Sequence, residues 1–222
     1  MNARDKILGR IRDAQAHAAN GAQADTLTNH LAQHPRGPLP PPPEDLVAGF
    51  KARALKLSSD VLETGDRNDV PALLAHYLQE KNLPLRGVCW PSLAGLPWHA
   101  AGLEIQSRPA KDQDMVGVTG VFCAIAETGT LMLLGGAETP ATTSLLPETH
   151  VAIVDPHRIV ATMEDAWELM RKECKQPPRA VNFISGPSRT ADIEQTVTLG
   201  AHGPYRVLLI IAPSMMHSLR SP

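Results

Sequence analysis

Ala180-Val181-Asn182-Phe183-Ile184-Ser185-Gly186-Pro187-Ser188-Arg189-Thr190-Ala191-Asp192-Ile193-Glu194 joins an apolar run directly to a crowd of polar residues. The first five residues predict a buried strand. Thr190 to Leu199 predicts a helix, closed by Gly200-Ala201-His202-Gly203-Pro204, where Gly200 suits the C′ position and Pro204 stops continuation. The polar residues therefore fall in one strand-to-helix turn, which would point backbone N–H groups outward at a sheet edge. Ser188 or Thr190 can cap the helix, and Arg189 offers a fork for a carboxylate or phosphate. Asp192 and Glu194, in the first turn, already complement the positive dipole end and would repel a polyphosphate. This favours a ligand with hydroxyls or a single carboxylate, or an Asp192–Arg189 pair that orients the loop. A well-capped structural turn is the alternative.

Working outward, the chain alternates strand-like and helical patterns. Leu46, Val47, Phe50, Ala54 and Leu57 mark a helix, Asp60 to Thr64 a short strand, and Val70 to Lys81 a helix opened by Pro71. Arg86 to Trp90 and Leu103 to Ile105 read as strands. Three apolar runs follow, Met115–Val118, Val121–Ala126 and Leu131–Leu134. Then come a strand at Val151–Val154, a helix from Met163 to Cys174, and a last strand at Val207–Ala212. Such alternation predicts an α/β fold of three layers, a mostly parallel sheet with helices on both faces. The crowded stretch from 115 to 154 leaves little room for helices and predicts a small hairpin insert.

Residues 1–19 predict an N-terminal helix, with Ile7, Leu8, Ile11, Ala14 and Ala18 at helical spacing. That helix either docks on its own domain or packs on another subunit as a homo-oligomer contact. Residues 20–43, ending in Pro38-Leu39-Pro40-Pro41-Pro42-Pro43, predict a stiff Pro-rich linker. Residues 44–222 make the α/β domain. With 21 basic and 23 acidic residues and only 4% aromatic, the chain lacks the charge and stacking surface of a nucleic-acid binder. No apolar run reaches the length of a membrane span. Cys89, Cys123 and Cys174 are widely spaced and form no CxxC pair, so the chain alone offers neither a cluster nor a structural metal site. An odd cysteine count without a signal peptide predicts a cytoplasmic protein.

A second polar block, Glu127-Thr128-Gly129-Thr130, interrupts Ala124-Ile125-Ala126 and Leu131-Met132-Leu133-Leu134. A carboxylate wedged between apolar strands needs hydrogen bonds or a task. Thr128 and Thr130 can bond that carboxylate or a ligand oxygen, and Gly129 permits an unusual turn or a close approach. A plain β-turn is the competing account. Glu127 and His202 are the candidate catalytic residues, although a histidine in a helix-ending turn can equally bond the last carbonyls. The candidate ligand-binding set is Thr128, Gly129, Thr130, Ser185, Gly186, Pro187, Ser188, Arg189, Thr190, Asp192, Glu194 and Gly203. The expectation behind it is that both blocks share one composite site.

Together, AIAETGTLMLL and ISGPSRTADIE with GAHGP resemble the lactate-utilisation protein C family, whose core is the LUD domain. The similarity spans roughly residues 44–213 plus the N-terminal helix, and Leu145-Leu146-Pro147 with His150 also fits the segment between the motifs. The resemblance implies a fold related to ribose-phosphate isomerases, glucosamine-phosphate isomerases and CoA transferases. It implies a non-redox subunit of an L-lactate to pyruvate oxidation system, without cofactor chemistry of its own. The iron–sulfur clusters would lie in partner proteins A and B. Many family members carry an arginine just after the ETGT strand, where this chain has Glu138-Thr139-Pro140-Ala141-Thr142-Thr143. Two other functions stay open. One is an independent isomerase- or CoA-transferase-like enzyme using Glu127 as nucleophile or base, assisted by His202 or Asp192. The other is an interaction or regulatory module.

Overall fold

The computed structural model describes residues 3–18, 21–34, 36–192, 196–200 and 202–214. The chain divides into two compact units, Met1–Pro41 and Pro42–Pro222. The first holds two helices, α1 (Ala3–Ala18) and α2 (Gly21–Gln33). The second helix corrects the linker predicted over 20–43. Ala22, Ala24, Leu27, Leu31 and Ala32 carry helical propensity, and only the proline-rich run beyond them excludes regular structure.

In the larger unit, α3 (Leu46–Lys56) starts at Asp45, whose side chain accepts the Ala48 N–H at 3.0 Å. It buries Phe50 and Ala54, one turn apart on one face. After β1 (Asp60–Glu63), α4 (Val70–Glu80) buries Val70, Leu74 and Leu78 at four-residue spacing. Next come β2 (Arg86–Cys89), β3 (Glu104–Ser107) and β4 (Val116–Gly120). The chain continues through β5 (Cys123–Ile125), β6 (Thr130–Gly135), a short α5 (Thr142–Leu145) and β7 (Thr149–Val154). It closes with β8 (Ile159–Val160), α6 (Met163–Glu173), β9 (Ala180–Ile184), β10 (Arg189–Asp192), β11 (Thr196–Leu199) and β12 (Arg206–Ile211). The start of α6 is fixed by a capping box between Thr162 and Asp165.

Six strands form one sheet in the order β1-β12-β7-β4-β2-β3, and every neighbouring pair is parallel. All six residues of β7 are buried, as a central strand covered on both faces requires. One face packs Val116, Val118, Val151, Ile153, Leu208 and Ile210 under α4. The opposite face packs Ala152, Val154, Leu209 and Ile211 against Phe50 and Ala54 of α3, so helices cover both faces.

The region from 115 to 154 differs in detail from a local hairpin insert. β4 and β7 are neighbours in the main sheet, and only β5 and β6 form the hairpin. That hairpin recruits β8 and β9 to make a second, four-stranded sheet in the order β8-β5-β6-β9. One side of it packs Ala124, Leu131 and Leu133 on the main sheet's core, and the other packs Cys123, Ile125 and Met132 on Ala166 and Met170 of α6.

The helix predicted from Thr190 to Leu199 is not formed. Arg189–Asp192 pairs antiparallel with Thr196–Leu199, from Arg189↔Leu199 to Asp192↔Thr196. Thr190, Thr196, Val197 and Thr198 are β-branched and suit a pleated ribbon better than a helix interior. The anion site expected at a helix start, with Ser188 or Thr190 as its cap, goes with that helix.

Candidate functional site

The two polar blocks do meet. β6 pairs with β9 in the register Leu131↔Ile184, which sets Thr130 beside Ser185. Their hydroxyls lie 2.7 Å apart, and the Thr128 hydroxyl donates to Thr130 Oγ1 at 2.8 Å. Gly129 and Gly186 both take positive φ, +70° and +78°. A Cβ on Gly129 would come within 2.7 Å of the Ala54 nitrogen, and one on Gly186 within 2.4 Å of the Leu57 carbonyl oxygen. Both turns thus press on the C-terminal end of α3, as close as only glycine allows.

Arg189 completes this seam. Its Nη2 donates to the Leu57 carbonyl at 3.3 Å and to the Ser58 hydroxyl. A cation over the last carbonyls of a helix complements its negative end, so this fork is engaged within the fold. Ser188 donates its N–H to the Pro204 carbonyl and accepts that of Gly200, both at 2.9 Å. Gly203 packs against the Ser188 side chain, Pro187 is half-buried, and His202 is exposed. Thr190 and Asp192 lie on β10, and Glu194 falls outside the described residues. Glu127 is half-buried, donates its N–H to the Ala161 carbonyl at 3.0 Å, and has no carboxylate partner among the described residues.

A cavity of about 560 Å³ opens elsewhere. The chain leaves β2 toward β3 on one side, and leaves β4 toward β7 on the other, so the strand order reverses between β2 and β4. A crevice at the carboxyl ends of such strands is where open α/β sheets bind ligands. Trp90 and Ser92 follow β2 there, Gly120 ends β4 and Phe122 follows it, Asp155 follows β7, and Arg67 lies beyond β1. None of the sequence-predicted site residues lines it. Phe122 precedes β5 and Glu127 lies in the turn after it, so the two sit at opposite ends of that strand.

The cavity's two arginines are held differently. Arg158 donates Nη1 and Nη2 to the Glu173 carboxylate at 2.6 and 2.9 Å, and Nε to the Phe122 carbonyl at 2.8 Å. It also lies 4.7 Å from the Phe122 ring centroid. Hydrogen bonds from Arg158 hold the Glu173 carboxyl below its ordinary range, against the opposing pull of burial. Arg67 is half-buried, and its guanidinium makes no hydrogen bond or ion pair among the described residues. Burial pulls it below its ordinary range, and the charge of Asp155 opposes that pull. Asp155 is nearly buried and accepts the His157 N–H at Oδ1, 2.9 Å away.

Arg67 lies in the polar run Thr64–Asp69, Asp155 and Arg158 in Asp155-Pro156-His157-Arg158, and Ser92 alone after Pro91, so in sequence they read as ordinary polar connections with no motif between them. Their shared signal is position. Ser92 and Asp155 stand just past the ends of apolar strand runs, where the carboxyl-edge rule would have pointed.

The sequence pattern of the LUD domain matches residues 98–212. Lactate utilization protein C of Bacillus subtilis (strain 168) is 30% identical over 190 residues, 76% of this chain and 78% of that protein. Lactate utilization protein C of Anoxybacillus flavithermus is 37% identical over 102 residues, 46% of each chain. The crystal structure of a DUF162 family protein from Deinococcus radiodurans shares the fold, with a TM-score of 0.57 and 23% identity over 75% of this chain and 96% of that one. With the family pattern spanning the sheet from before β3 to the end of β12, and a relative matched over three quarters of its length, this chain belongs to the lactate utilization protein C family of LUD-domain proteins.

Proposed function

We propose that this chain is a non-redox subunit of an L-lactate utilisation system, working in the cytoplasm with iron–sulfur partner proteins that carry the electrons from lactate to pyruvate. The observation that carries this reading is the likeness, over 76% of the chain, to a relative named for lactate utilisation. The cysteine environments support assigning the clusters to partners. Cys89 and Cys123 are fully buried in apolar clusters, and burial pushes both thiols up to about 11. Iron is bound by thiolates, so thiols held protonated are poor cluster ligands. Within the subunit, the cavity at the carboxyl edge of the parallel sheet is the place for a small carboxylate- or hydroxyl-bearing ligand. The hydroxyls of Thr128, Thr130 and Ser185 tie the β6 turn to the end of β9, while Gly129, Gly186 and Arg189 make the contacts to the C-terminal end of α3.

Deletion of the gene tests the role. The deletion strain should fail to grow on L-lactate as sole carbon source, grow normally on glucose, and recover with the gene restored. Normal growth of the deletion strain on lactate rejects it.

A further inference from the structure

Arg67 is the group in this structure whose surroundings ask for a ligand. A half-buried guanidinium with five donors and no acceptor is costly to keep. Its neighbour in the cavity, Arg158, shows how the same side chain is satisfied within the fold, by Glu173, the Phe122 carbonyl and the Phe122 ring. Arg158 is therefore part of the wall, and Arg67 is the fork left open to the cavity. A carboxylate matches that fork with two parallel hydrogen bonds.

Asp155 narrows the choice. It lines the same cavity, and its carboxylate's one described hydrogen bond, from the His157 N–H, leaves acceptor capacity over. A carboxylate oxygen there favours a ligand that brings a donor and disfavours one that brings a second acceptor. The rest of the wall is largely apolar, with Trp90, Leu93, Phe122, Leu134 and Ile153 facing the space. At about 560 Å³ it has room for much more than a three-carbon acid.

We propose that this cavity binds 2-hydroxycarboxylates with an apolar side chain: Arg67 grips the carboxylate, Asp155 accepts the hydrogen of the 2-hydroxyl, and the Trp90–Phe122 wall covers the side chain. The matching 2-oxo acid is disfavoured because its keto oxygen faces the Asp155 carboxylate, acceptor against acceptor. The proposal deepens the lactate role by giving its site a ligand class, and rests on that role for its place in the cell. Binding is read on purified protein and the role on growth, so either can fail alone.

The test is titration calorimetry of the full chain at neutral pH with L-lactate, L-2-hydroxyisocaproate, 2-oxoisocaproate and isocaproate. L-2-hydroxyisocaproate should bind roughly tenfold or more tighter than its oxo and deoxy counterparts, since each fails to satisfy Asp155. It should also bind more tightly than L-lactate, which leaves the apolar wall uncovered. Arg67→Met should weaken it by roughly tenfold or more, and Asp155→Asn should bring the hydroxy and oxo acids close to parity by supplying an amide donor. Thermal melts establish that the variants fold, and the acid series on the unmodified chain decides alone if they do not. Equal affinity for hydroxy and oxo acids, no binding at millimolar concentration, or undiminished binding by a folded Arg67→Met variant overturns the proposal.

Discussion

His150 lies fully buried on β7, where Gly117 of β4 and Val207 of β12 pair with it. Its Nε2 is 2.8 Å from the Thr119 hydroxyl, and its Nδ1 has no partner among the described residues. Burial pushes the ring down from 6.5 to about 4. The folded protein therefore keeps this ring neutral where the unfolded chain protonates it. Near pH 7 the ring is mostly neutral in both states, so little stability depends on pH. As pH falls from about 6.5 toward about 4, the unfolded state takes up a proton that the folded state refuses, and stability is lost. The full drop amounts to about 3 kcal/mol, of which about 2 is already gone at pH 5. His150→Gln removes the titration and keeps a polar partner for Thr119. Urea unfolding followed by fluorescence of the buried Trp90 and Trp98 gives stability at each pH for both proteins. The variant should be less stable at pH 7, yet lose about 2 kcal/mol less than the original between pH 7 and pH 5. Subtracting the two profiles cancels the carboxylates, which titrate alike in both proteins. A difference between them that stays constant with pH would refute the argument.

Gly186→Ala places a methyl 2.4 Å from the Leu57 carbonyl oxygen at a positive φ, and should cost about 2 kcal/mol or more. An unchanged melting temperature would show that the seam against α3 yields freely. Glu127→Gln, introduced into the deletion strain, should restore growth on L-lactate at the original rate, because Glu127 lies at the far end of the hairpin from the cavity. Failure of that complementation by a folded variant would move the chemistry to the hairpin turn.

Sequence alone determined the elements whose cause is local. The helices over 46–56, 70–80 and 163–173 follow from apolar spacing and capping residues, and the central strands β7 and β12 are short apolar runs bounded by proline, glycine or polar residues. The meeting of the two polar blocks was also expected from sequence, because two polar turns interrupting apolar runs in one small α/β chain suggest a composite site. Tertiary structure decided what depends on distant partners. Residues 190–199 have a composition that serves a helix or a ribbon, and pairing of Arg189–Asp192 with Thr196–Leu199 selected the ribbon. β8 and β9 join the hairpin through partners some 35 and 50 residues away, which no local window registers. The cavity is the extreme case. Arg67, Ser92, Phe122, Asp155 and Ser214 come from the ends of five different strands, and become neighbours only because parallel strands in this order bring their carboxyl ends to one edge.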